Sequence, residues 1–133
     1  MNKVLQIVVA LVGVLILLGS FGFMFMPVDM EASFAVVASR PEGLGTLRGD
    51  LGGALMMVAF FTLYGSRPGQ SAWLLVPVVF MLTVLFGRSI HMLIDGVSQP
   101  AIRSTVVELV LIVLLEFSRR RLASDANSGA VDR

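Results

Sequence analysis

Four apolar runs, at residues 4–26, 51–64, 72–92 and 106–117, occupy more than half of a 133-residue chain and dictate what it can fold into. Runs of this length bury their backbone polar groups in hydrocarbon only as helices or as a closed barrel. They lack the two-residue alternation of a barrel strand, so the sequence predicts helices. The first and third runs reach the roughly 20 residues needed to cross about 30 Å of hydrocarbon. The second and fourth do so only if Arg48, Gly49 and Asp50, and the stretch from Arg103 onward, join their helices. The expected fold is an all-α integral membrane bundle of four antiparallel helices, with spans at about 4–26, 48–65, 71–95 and 103–118 forming one domain. A re-entrant or surface-lying helix is the alternative for the two shorter runs.

Composition agrees with a bilayer as the solvent. Hydrophobic residues make up 56% of the chain and charged residues 14%, with a mean hydropathy of +0.90, too apolar for a soluble domain of this size. The chain has no cysteine, which removes disulfide and thiolate chemistry. Its formal charge of +1 provides no basic field for nucleic acid.

Lys3, Arg67 and the run Arg119, Arg120, Arg121 flank the apolar segments at alternate ends. By the positive-inside rule all three positions are cytoplasmic, and so are both termini. Residues 27–47 then face outward, with a strand-like or surface-lying stretch expected at 33–39. Ser66, Arg67, Pro68 and Gly69 make a tight turn that pairs spans two and three. The first run exceeds a typical signal-peptide core and lacks a small-residue cleavage site after it, so it is expected to be retained. Gly13, Gly19 and Gly22 offer it smooth patches for helix approach, or simple lipid-facing flexibility. Trp73 and Tyr64 suit anchors at the headgroup level. Residues 124–133 are small and polar and are expected to form a disordered cytoplasmic tail.

Topology brings six ionisable residues to the outward end: Arg48, Asp50, Arg88, His91, Asp95 and Glu108. Charge in or beside hydrocarbon is costly unless it is paired or hydrated, which makes this cluster the leading functional candidate. Arg88, His91 and Asp95 are spaced three and four apart and form a stripe on one helix face. Arg88 cannot deprotonate and needs an anion; the expected partner is Glu108 in a bidentate pair, and a bound carboxylate, phosphate or quinone oxygen is the rival. Asp50 suits an N-cap at the start of span two as well as a site role. Arg48 lies about 200° around the helix from it. His91 with Asp95 one turn on, and Glu108 beyond, are the weak catalytic candidates for acid–base or proton-path chemistry. The same three could make a facial metal set, but no second histidine and no H-E-x-x-H pattern support one, and none is expected. Glu116 pairs locally with Arg119 and Arg120.

The motifs L-R-G-D-L-G-G at 47–53, F-G-R-S-I-H-M-L-I-D-G at 86–96 and V-E-L-V at 107–110 carry a resemblance covering nearly the whole chain. They resemble a bacterial family of small four-span membrane proteins known as domain of unknown function 4345. That resemblance implies a four-span fold in the bacterial inner membrane and weight for the polar cluster, and it implies no activity. A fainter likeness to DoxX-type four-helix membrane proteins, some of them oxidoreductase-associated, implies a redox accessory role. The functional expectation is a small inner-membrane accessory or binding protein whose outward polar pocket takes a lipid head group, a quinone-like molecule or a partner helix. A membrane enzyme or proton-linked transporter subunit is the alternative. No resident cofactor is expected. The expected partners are membrane lipids and a second membrane protein or another copy of the chain.

Overall fold

The computed structural model describes residues 2–34 and 36–131, with 126–131 as backbone alone, and every regular element among the described residues is helical. Helix α1 spans Lys3–Phe25. It opens where the Asn2 side-chain oxygen accepts the Leu5 N–H at 3.3 Å, an N-cap that satisfies one orphan donor. It ends at Met26 because Pro27, which has no N–H, starts the short helix α2, Pro27–Phe34. α2 folds back on the end of α1, with the Phe23 and Phe34 rings edge to face at 4.7 Å.

Among the described residues at 33–39 none is in a strand. Phe34 ends α2, and the Val36 and Ala38 N–H groups go to the Glu31 carbonyl at 3.1 Å and its carboxylate at 2.8 Å. Those donors are spent on a local loop and are not free for a ladder. The connection then enters helix α3, Pro41–Thr46, which runs through a π-helical turn at Leu47–Gly52 into α4, Gly53–Gly65. The second apolar helix therefore begins at Pro41, upstream of the expected residue 48.

The turn after α4 carries Gly69 at φ +76°, a left-handed conformation that glycine adopts without steric cost. One 3-10 turn, Ser71–Leu74, leads into α5, Leu75–Ile94. Gly96 at φ +99° reverses the chain into α6, Gln99–Val131. α6 carries helical backbone through the polar stretch expected as a tail; the side chains at 126–131 and residues 132–133 lie outside the described ones.

α1 and α4 run antiparallel in close contact. A Cβ on Gly13 would meet Leu63 Cγ at 2.7 Å, and one on Gly52 would meet Met24 Cγ at 2.9 Å. Gly22 is approached by Met30, whereas Gly19 faces open space. Ser20, fully buried, donates to the Gly52 carbonyl at 2.8 Å. The common core is small: Val9, Val58, Leu74, Val78, Met81, Leu115 and Leu122. Large apolar side chains such as Leu93, Val113 and Ile7 point outward instead, the arrangement of a membrane protein rather than of one covered by water. Helices Lys3–Phe25, Pro41–Gly65 and Ser71–Ile94 are long and apolar enough to cross a bilayer. α6 is longer, but Arg103, Glu108 and Glu116 interrupt its apolar stretch.

The Asn2 N–H donates to the Asp125 carboxylate at 3.0 Å, placing the start of α1 and the later part of α6 at one end. That end also holds the 66–70 turn. There Trp73 stacks on Phe61 at 5.4 Å and meets Tyr64 edge to face, while the Arg67 guanidinium lies 5.5 Å from the Tyr64 ring centre.

Candidate functional site

At the opposite end, α5 and α6 together with the last turn of α2 enclose an open cavity of about 680 Å³. α5 contributes Arg88 and His91. α6 contributes Arg103, Ser104, Val107 and Glu108 from one face, because positions three and four apart share a side of a helix. α2 supplies Ala32, Ser33 and Phe34 as a third wall. The start of α6 closes the floor: Ser98 Oγ accepts the Ala101 N–H at 3.4 Å, and both residues line the cavity.

Arg88 Nε donates to Glu108 Oε1 at 2.7 Å, the cross-helix pair expected from the sequence. The contact uses one carboxylate oxygen and is not the expected bidentate fork. Glu108 Oε2 is buried without a hydrogen-bond partner, as is Thr105 Oγ1 one turn earlier. Both residues line the cavity, with Glu108 keeping only 14% of its side chain exposed against 33% for Arg88.

His91 Nδ1 donates to Asp95 Oδ2 at 2.8 Å within α5. This pair sits at the helix end, 51% and 62% exposed, and among the described residues no hydrogen bond joins it to Arg88 and Glu108. His91 lines the cavity; Asp95 reaches it only through His91. No three His, Asp or Glu side chains among the described residues converge on a point that could hold a metal ion.

Arg48 and Asp50 are placed elsewhere and do not line the cavity. Arg48 Nε donates to the Met24 carbonyl at 3.2 Å. That carbonyl is one of the orphan acceptors in the last turn of α1, where the helix dipole is negative and a cation is stabilising. Asp50 is exposed inside the π-helical turn and makes no side-chain cap. The expected N-cap role fails because the helix already starts at Pro41, leaving no free N–H groups at residue 50. Gly52 is closely approached, while Gly49 and Gly53 have open space around them.

Arg103 is the cavity residue that sequence reasoning passed over as a mere edge of the fourth apolar run. The signal was present in the spacing: Pro100, Arg103, Ser104, Val107 and Glu108 fall on one helical face. No carboxylate among the described residues pairs with Arg103, so its charge is available to the cavity. Three cationic or protonatable groups, Arg88, Arg103 and His91, thus line it with one acid, Glu108, already bound to Arg88. Such an arrangement attracts an anion.

No protein family, curated protein or solved structure matches the chain.

Proposed function

We propose that the protein is a small binding protein of the bacterial inner membrane that holds an anionic head group in the cavity between α5, α6 and α2. The observation that carries this reading is Arg103, which lines the cavity with no carboxylate paired to it, while Arg88 is paired with Glu108 and His91 with Asp95. A cation at a membrane edge is stabilised by an anionic partner, and the protein supplies none to Arg103 among the described residues.

In this proposal α6 is a fourth span over about 103–118, running antiparallel to α5. Its interior charges are offset by pairing: Glu108 with Arg88 at 2.7 Å, and Glu116 with Arg119 through contacts of 2.7 and 2.8 Å. The Asn2–Asp125 contact supports an even number of crossings. Lys3, Arg67 and Arg119 to Arg121 then lie on the cytoplasmic side and the cavity faces outward. Membership of the four-span family that the 47–53, 86–96 and 107–110 motifs resemble belongs to the same proposal. The acid–base alternative draws on the His91–Asp95 bond, but that bond leads nowhere toward Glu108 and supports a proton path less well.

Native mass spectrometry of the purified protein tests the reading. Wild type should retain an anionic lipid through detergent exchange, and Arg88→Ala should release it. Retention of a neutral quinone instead, or of no ligand, would overturn the reading. Tags on the two termini should be accessible from the same side.

A further inference from the structure

A second depression lies on α6, an apolar groove of about 450 Å³ lined by Leu109, Val110, Val113, Leu114 and Phe117. It follows the polar cavity along the helix, with no lining residue in common. Arg103, Val107, Val110, Leu114 and Phe117 are spaced four, three, four and three apart, which keeps them within one narrow stripe. Arg103 and Val107 line the cavity at the top of the stripe; Val110, Leu114 and Phe117 line the groove below it. From Val107 to Phe117 the stripe is about 15 Å long at 1.5 Å per residue. Measured from Arg103 the stripe is about 21 Å long, so a chain lying along all of it passes the middle of a hydrocarbon core of about 30 Å. Below Phe117 the stripe turns cationic again, with the Arg121 guanidinium 5.6 Å from the Phe117 ring centre.

We infer that the cavity and the groove are one site for a phosphate-bearing lipid, the phosphate held by Arg103 beside Arg88 and one acyl chain lying along Val110, Leu114 and Phe117. The inference rests on the anion-binding reading above and specifies its ligand. A phosphate offers more acceptor oxygens than a carboxylate, and the cavity answers with two guanidinium groups and the hydroxyls of Ser33 and Ser104. Arg88 is partly engaged by Glu108, which leaves Arg103 as the principal anchor. A free phosphate shares the head-group chemistry but would make no use of the groove. The continuity of Arg103 and Val107 with the apolar stripe favours the chain-bearing form.

The test uses the full-length protein in phosphatidylcholine nanodiscs containing phosphatidylglycerol with a photoactivatable diazirine in its acyl chain. Adducts should concentrate on Val110, Val113, Leu114 and Phe117. In Arg103→Gln their yield should drop by about tenfold, the effect of losing one charge-assisted hydrogen bond. Arg103 is exposed and makes no ion pair, so this variant should keep the wild-type melting temperature, which is measured alongside. Adducts spread evenly over every outward helix face and indifferent to Arg103→Gln would overturn the inference. Binding of glycerol phosphate or inorganic phosphate that depends on Arg88 and Arg103, with no gain from an acyl chain, would overturn the groove while leaving the anion reading standing. No phosphate dependence of any kind would remove both.

Discussion

Arg88 and Glu108 meet through a single oxygen, and the second carboxylate oxygen of Glu108 is buried with no partner. The pair is unequally hydrated: both residues line the cavity, but the acid is the more deeply buried. Removing one partner strands a charge in a region of low dielectric, at a typical cost of about 3 to 5 kcal/mol for a fully buried pair. Arg88 is one-third exposed and Glu108 only 14%, so Glu108→Leu, which strands the better-hydrated arginine, should cost less than Arg88→Met, which strands the more deeply buried acid. The double variant should recover much of the loss. Thermal unfolding of all four forms in the same lipid checks this, and strictly additive losses would reject direct coupling.

Arg48 should behave as a structural residue despite its place among the membrane-edge charges. Its guanidinium caps the last turn of α1 through the Met24 carbonyl. Arg48→Gln should lower stability by only about 0.5 kcal/mol, the usual size of a cation's interaction with a helix C-terminus. Lipid retention, measured by native mass spectrometry, should be unchanged. A loss of retention without a loss of stability would move Arg48 into the binding site.

Ser20 is fully buried and satisfies the Gly52 carbonyl at the join between the π-helical turn and α4. Ser20→Ala should remove this second bond to the helical carbonyl and cost about 0.5 to 1.5 kcal/mol. Hydrogen exchange should show faster opening around residues 49–56 before any change in α5.

The reversal between α5 and α6 depends on Gly96 at φ +99°. A Cβ there would meet no neighbour, so the penalty for Gly96→Ala is conformational, about 1 to 2 kcal/mol. Because this bend sets where Arg103 stands relative to Arg88, the variant should also weaken lipid retention. Gly45→Ala, at an open helical position, is the control that should be silent.

The apolar runs located two of the long helices, Lys3–Phe25 and Ser71–Ile94, closely, because there hydrophobic length and helix boundaries are the same physical constraint. The Arg88–Glu108 and His91–Asp95 pairs were legible too, one from topology and one from an i, i+4 spacing. Arg48 and Asp50 were not. Their positions depend on a helix that begins at Pro41, in a stretch whose hydropathy gives no boundary, and on a carbonyl of α1 that only tertiary packing brings near. Arg103 was hidden for a different reason: charge at the edge of an apolar run reads as a span limit, and only the face shared with Ser104 and Val107 reveals its inward partner surface.

The π-helical turn at Leu47–Gly52 has a consequence for how the chain can change in length. A wide turn of this kind holds one residue more than an α-helical path between the same endpoints, so it acts as a stored insertion. Deleting Gly49, whose surroundings are open, would let the segment relax into a continuous α-helix. The flanks would keep their places, because the α-helical path joins them with one residue fewer. Leu47 would keep its buried seat, Arg48 the Met24 carbonyl, and the loop that carries α2 to the cavity wall its aim. A deletion inside α4, where no surplus residue is stored, would instead turn everything upstream by about 100° and reshape the cavity without touching any residue that lines it.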